Sequence, residues 1–220
     1  MENTLSIAEE VLLLTLHDSD GTFIKVPDWT IRYALSGAVL MDLALRDRID
    51  TDLESLTVVN TDPTGDNLLD GLLSFIASET EPQSTRFWIE RTAVHAESIR
   101  DVALDRLVDR GILHREEHRF LWVFKSRRYP ITDGAADKEV KLRIAEVLFT
   151  DTIPDPRDIV LICLAHATGI LDSIFSRAQL RQVEDRVDQV RRLDLIGQAI
   201  AKAIWDIEAS IAVSSQPQFH

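Results

Sequence analysis

A chain of 220 residues, 45% of them apolar, can build a sizeable core without covalent staples, and its single cysteine, Cys163, excludes an internal disulfide framework. The formal net charge of -13 excludes broad binding along a nucleic-acid backbone, which needs clustered Lys and Arg. No apolar run approaches the roughly 20 residues of a membrane-spanning helix, and Glu2, Glu9 and Glu10 stand where a secretory leader needs cations, so the expectation is a reducing, cytoplasmic setting in which any membrane contact is peripheral.

Helical signals dominate from the start of the chain. Leu5 to Leu16 opens with Ser6 and, three residues on, Glu9, the spacing of a capping box. His17 to Gly21 is a turn. Pro27-Asp28 starts a long helix over Trp29 to Arg46, with Asp28 expected as its N-cap; Ile31, Ala34, Leu35, Ala38, Val39 and Leu43 make it apolar over much of its circumference, which places it in the middle of a bundle. Arg48 to Val59 is a connection with room for a short strand. Asp62-Pro63-Thr64-Gly65-Asp66 is a turn that delivers Asp66 as cap for a helix over Asn67 to Ala77, and a helix over Thr85 to Ala93 follows the polar break Glu79 to Ser84. Glu97 to Arg110 carries apolar residues at helical spacing and ends at Gly111. Further helices are expected over Lys138 to Thr150, Pro156 to Phe175 and Val183 to Ala209. The reading is one mainly α domain over residues 1–213, a compact helix bundle, with residues 214–220 as a disordered tail.

One segment breaks the helical pattern. After Gly111, Ile112-Leu113 starts a strand, Glu116 to Arg119 is polar and turn-like, and Phe120-Leu121-Trp122-Val123-Phe124 is dense in aromatic and β-branched residues, which predicts a projecting hairpin. Between Gly111 and Pro130 five cations, Arg115, Arg119, Lys125, Arg127 and Arg128, face Glu116 and Glu117, a local balance of +3 in a chain whose remainder carries -16. Apolar rings bracketed by Arg119, Lys125, Arg127 and Arg128 suit a lipid interface: Trp favours the headgroup level, and basic side chains lay their stems on apolar surface while the charge stays wet. The same helix, glycine and basic hairpin also describe a winged-helix nucleic-acid module with the hairpin as wing, against which the long acidic helices on either side argue.

Catalytic signals are absent. His114-Arg115-Glu116-Glu117-His118 fits a metallopeptidase spacing, but that chemistry needs both histidines on one helical face, and this segment follows a helix terminator. Asp62 to Asp66 lacks calcium-ligand spacing and reads as turn plus cap. His166, Trp88 and Trp205 sit in helical patterns and read as packing residues. No cofactor or metal is implied, and the chain reads as a non-enzyme.

Laid out in order, Leu5 to Leu14, Gly37 to Ile49, Asp62-Pro63-Thr64-Gly65-Asp66 with Leu68-Leu69-Asp70, Leu107 to Leu113 and Leu164-Ala165-His166 resemble the Golgi phosphoprotein 3 family of phosphatidylinositol 4-phosphate-binding adaptors. The resemblance runs from about Leu5 to Trp205. It implies a helical domain around a central bundle, a headgroup pocket of one Trp and several Arg, a hydrophobic hairpin that enters the bilayer, and a short form without the family's basic N-terminal arm. On this chain it points to Trp29, Arg32 and Arg100 as headgroup residues. Pro27 holds the family's Trp position, with Trp29 two residues on, while Ser36 and Glu97 replace two family arginines; Arg32, one turn before Ser36, is the expected compensation. The expected partner is an anionic membrane lipid, not nucleic acid, with a homo-oligomer as the arrangement that would strengthen binding; without the basic arm the family's cargo sorting does not carry over, and the protein cargo is unknown.

Overall fold

The computed structural model describes residues 4–17, 20–52, 55–120, 124–132 and 134–214; of residues 117–120, 124–127 and 214 it describes the backbone. Ser6 and Glu9 form the capping box that starts α1 (Ile7–Leu14), and every residue of this helix is buried, Glu9 and Glu10 included. α2 (Asp28–Ala44) is buried from Ala34 to Leu43 and packs on α1, so the long apolar segment does lie at the centre. Its cap differs from expectation. Pro27 is the N-cap and makes no side-chain cap bond, while Asp28 is the first helical residue, where its charge still meets the positive end of the helix dipole.

The strands β1 (Ile49–Thr51) and β2 (Leu56–Val58) form a small antiparallel pair. Asp66 then caps α3 (Asn67–Ala77) by accepting from the Leu68 and Leu69 N–H groups, and it also takes both ends of the Arg106 guanidinium at 2.7 Å. α4 (Thr85–Ala93) and α5 (Ala96–Asp109) follow, and Gly111, at φ 70°, ends α5 with the left-handed residue that the sequence places there. Beyond the hairpin come α6 (Ala135–Phe149), α7 (Pro156–Ala167), α8 (Leu171–Ile174), α9 (Arg177–Arg191) and α10 (Leu195–Ser214).

Two expected long helices are broken. The segment Pro156 to Phe175 divides at Thr168-Gly169, where Gly169 takes φ 70°, and Val183 to Ala209 is two helices separated by residues 192–194. α9 also starts six residues before the expected Val183, on a capping box of Ser176 and Gln179. The tail, 215–220, lies outside the described residues. α1, α2 and α7 form the inner layer: Leu12, Leu13, Leu35, Leu40, Met41 and Leu164 are at most 1% exposed, and α4, α5, α6, α9 and α10 pack around them. Among the described residues no helix is long and apolar enough to cross a membrane.

The hairpin is displaced from its expected register. Glu116–Phe120 forms β3 and Phe124–Arg128 forms β4, antiparallel, with Phe120 opposite Phe124. Phe120 and Phe124 therefore face one another from two different strands. Glu116 to Arg119, expected as the turn, is strand instead. Leu121, Trp122 and Val123 lie outside the described residues.

Candidate functional site

Two helix starts converge on one cleft. α2 has Pro27 and α5 has His95 as N-cap, and neither cap residue offers a side chain to the first-turn N–H groups, so both helix starts leave those donors uncapped, with Asp28 and Glu97 in the first turns offsetting part of the positive charge. The space between them is a cleft of roughly 590 Å³. Leu35, Ala93 and Ala96 contribute apolar lining, Phe23 and Val26 from the approach to α2 add to it, and its charged residues are Asp28, Arg32, Glu97 and Arg100.

Each helix supplies an acid followed one turn later by an arginine: Asp28 with Arg32 on α2, Glu97 with Arg100 on α5. Arg32 is exposed and Arg100 half-buried, and among the described residues no ion pair engages either guanidinium. The structure thus brings together two of the three expected headgroup residues. Trp29 does not line the cleft; it is half-buried with its ring 6.2 Å from that of Tyr33. Ser36 has a structural task instead: its buried hydroxyl donates to the Ile89 carbonyl at 2.8 Å and ties α2 to α4.

The hairpin is rooted beside this cleft. Directly after β4, the Tyr129 N–H donates to the Gly21 carbonyl at 2.9 Å, and the His114 N–H donates to the Pro130 carbonyl at 2.9 Å. The buried Tyr129 ring stands edge-on to Phe23, 6.2 Å between centroids, so one aromatic contact joins the base of the hairpin to the cleft wall. Nothing in the sequence singles out Phe23, because an aromatic in a short connection between helices carries no periodicity. Arg128 is exposed at the foot of β4; the side chains of Phe120, Phe124, Arg119, Lys125 and Arg127 lie outside the description.

Gly21 permits this rooting. It holds φ 63°, and a Cβ there would lie 2.2 Å from Pro130 N and 2.3 Å from the Tyr129 carbonyl carbon. Because backbone cannot swing aside as a side-chain tip can, Gly21→Ala is expected to cost about 1–3 kcal/mol in strain and to loosen the hairpin base. Urea unfolding reads the first effect, and faster hydrogen exchange at the Tyr129 amide reads the second.

Elsewhere the described residues offer little chemistry. Among the described residues no group of His, Cys, Asp and Glu is arranged to hold a metal ion. Cys163 is fully buried, and burial pushes its thiol up to about 12, which leaves it unreactive. Trp88 is buried, and Trp205 packs against His166 with the Arg191 guanidinium 4.3 Å from its ring centre.

The chain is similar to vacuolar protein sorting-associated protein 74 of Eremothecium gossypii, 30% identical over 210 residues that cover 80% of this chain and 62% of that relative. The protein of the same name from Schizosaccharomyces pombe is 27% identical over 246 residues, covering 96% of this chain and 71% of the relative. The chain therefore spans a little under two thirds of the length of the first of these curated relatives. A family model described as Golgi phosphoprotein 3 (GPP34) matches residues 7–207, nearly the whole chain, and the chain belongs to that family.

Proposed function

We propose that this chain is a peripheral membrane protein that binds an anionic phospholipid, with Arg32 and Arg100 receiving the headgroup and the hairpin tip, Phe120 to Phe124, entering the bilayer. The family's phosphatidylinositol 4-phosphate is the reference ligand for such a site. The observation that carries the reading is the shared wall: two guanidiniums that no ion pair among the described residues engages line a cleft whose Phe23 packs on Tyr129, the residue directly after β4. A phosphate in that cleft would meet uncapped first-turn N–H groups as well as guanidinium forks. Anchored at its base, the hairpin would present its tip to the same surface that supplies the headgroup.

Affinity in this reading is modest by design. Each basic residue near an anionic leaflet adds about 1 kcal/mol, and each large apolar side chain adds at most about 1.5–3 kcal/mol when fully buried. One chain would bind reversibly, and self-association would raise avidity by presenting several tips at once. The names of the family and of the fungal relatives, a Golgi phosphoprotein and a vacuolar protein sorting-associated protein, fit a non-catalytic adaptor stationed on the cytoplasmic face of a membrane.

Flotation with anionic vesicles tests the proposal. Wild type is expected to float, Trp122→Ala to lose about tenfold or more in affinity, and Arg32→Glu to weaken binding about as much as Arg100→Glu. Absence of wild-type flotation, or a DNA gel shift in its place, would overturn the membrane assignment and return the hairpin to the role of a wing.

A further inference from the structure

We infer that the cleft selects a headgroup bearing a primary ammonium beside its phosphate, with phosphoserine as the anionic member of that class, and that Glu97 makes the selection. This rests on the membrane reading above and sharpens it. The cleft carries two guanidiniums, Arg32 and Arg100, and two carboxylates, Asp28 and Glu97. Such a wall has no net charge. A phosphorylated inositol ring gathers several negative charges and no positive one, so it would meet the two arginines and also two repelling carboxylates.

A phosphoserine headgroup distributes its charges as the cleft does. Its phosphate and its carboxylate each match a guanidinium, and its ammonium needs an acceptor that is negative and close by. Glu97 meets that requirement: it is exposed, lies three residues before Arg100 on α5, and lines the same cleft. Arg32 approaches from α2, so the two anionic groups of one headgroup are held from two different helices. Asp28 at the first position of α2 and Glu97 in the first turn of α5 each offset part of their helix's positive end, so the guanidiniums are the main attraction for the phosphate. Ionised carboxylates accept hydrogen bonds and donate none, so neither of them can substitute as a phosphate contact.

Phosphatidylglycerol is the discriminating control, because it carries the same charge per lipid as phosphatidylserine and lacks the ammonium. Vesicles of phosphatidylcholine with equal mole fractions of one or the other are to be floated with wild type and with Glu97→Gln, whose exposed position makes it compatible with folding. Wild type is expected to bind the phosphatidylserine vesicles about tenfold more tightly. In Glu97→Gln that ratio is expected to fall to near one, through loss on phosphatidylserine with phosphatidylglycerol binding held or raised. Equal binding of the two vesicles by wild type overturns the inference and leaves the membrane reading standing, as does a preference that survives in Glu97→Gln. Tighter binding to phosphatidylinositol 4-phosphate vesicles of matched charge also overturns it. No binding to any anionic vesicle removes both readings. A calorimetric titration with soluble glycerophosphoserine separates the lipid from a free compound: weak binding without a membrane is expected, and binding as tight as that to vesicles would make the ligand a soluble one.

Discussion

Glu10→Ala is expected to lower the free energy of unfolding by about 3–5 kcal/mol, because it strands charge that folding has already drawn out of water. Glu10 lies on the wholly buried helix α1 and is 1% exposed. Its Oε1 accepts from Arg143 Nη2 at 2.6 Å, and its Oε2 lies 2.9 Å from Arg157 Nη2. Arg143 continues to Asp158 at 3.1 Å and Glu139 at 3.3 Å, and Arg157 donates to the Leu5 carbonyl, so one carboxylate links α1 to α6 and α7. Both guanidinium side chains keep some access to water, 29% and 19%, which sets the effect towards the lower end of the range.

The neighbouring glutamate supplies the contrast. Glu9 closes the capping box with Ser6 and stands 3.8 Å from Arg110, a long ion pair, so Glu9→Ala is expected to cost about 1 kcal/mol, the value of a cap. Urea unfolding of the two single variants reads the difference directly. A Glu10→Ala variant within about 1 kcal/mol of wild type would reduce the Arg143 and Arg157 contacts to the worth of surface ion pairs.

These two glutamates also mark where the sequence could be read and where it could not. Glu9 was legible because a capping box is local: its partner is three residues away, as is the Asp66 cap of α3 and the Gly111 terminator of α5. The partners of Glu10 are not local, since Arg143 is 133 residues further on, and an acidic pair at a helix start gives no sign that it will be buried. The same division holds for the hairpin. Its place after α5 follows from composition, but Glu116 to Arg119 form strand because β4 pairs with them, and a two-stranded ribbon has too little sheet to impose the apolar alternation by which strands announce themselves. In the candidate site, Arg32 and Arg100 came from the family likeness and helical spacing, and the structure sets them around one cleft. Phe23 and the Tyr129 contact could not be foreseen, because they join a loop to a strand end across the fold.

A second large effect is expected from Asp42, and it depends on pH. Asp42 is 3% exposed on α2, and its carboxylate accepts from the Ile7 N–H at 2.9 Å, fastening the start of α1 to the central helix. Burial raises its pKa from 3.8 to about 7, against the opposing pull of Arg157, the Ile7 hydrogen bond and Arg46, with Glu10 reinforcing the rise. The folded chain therefore holds a proton that the unfolded chain releases near pH 4. Stability is highest below that point, falls as pH climbs to about 7, and is flat above, a total loss of roughly 4 kcal/mol. Asn cannot ionise and retains an oxygen for the Ile7 N–H. Asp42→Asn is thus expected to gain roughly 3–4 kcal/mol on wild type between about pH 4 and about pH 8, whatever its offset at the acid end. Urea unfolding of both proteins at the two pH values isolates the effect, since every other titrating group is common to them. An identical difference at both would show that Asp42 remains ionised in the fold. Asp42 lies ten residues from Arg32 on the buried stretch of α2 and takes no part in lining the cleft, so the variant that changes stability most with pH is expected to bind anionic vesicles as wild type does. That separation makes Asp42→Asn the stabilised background in which Glu97 and the hairpin are best tested.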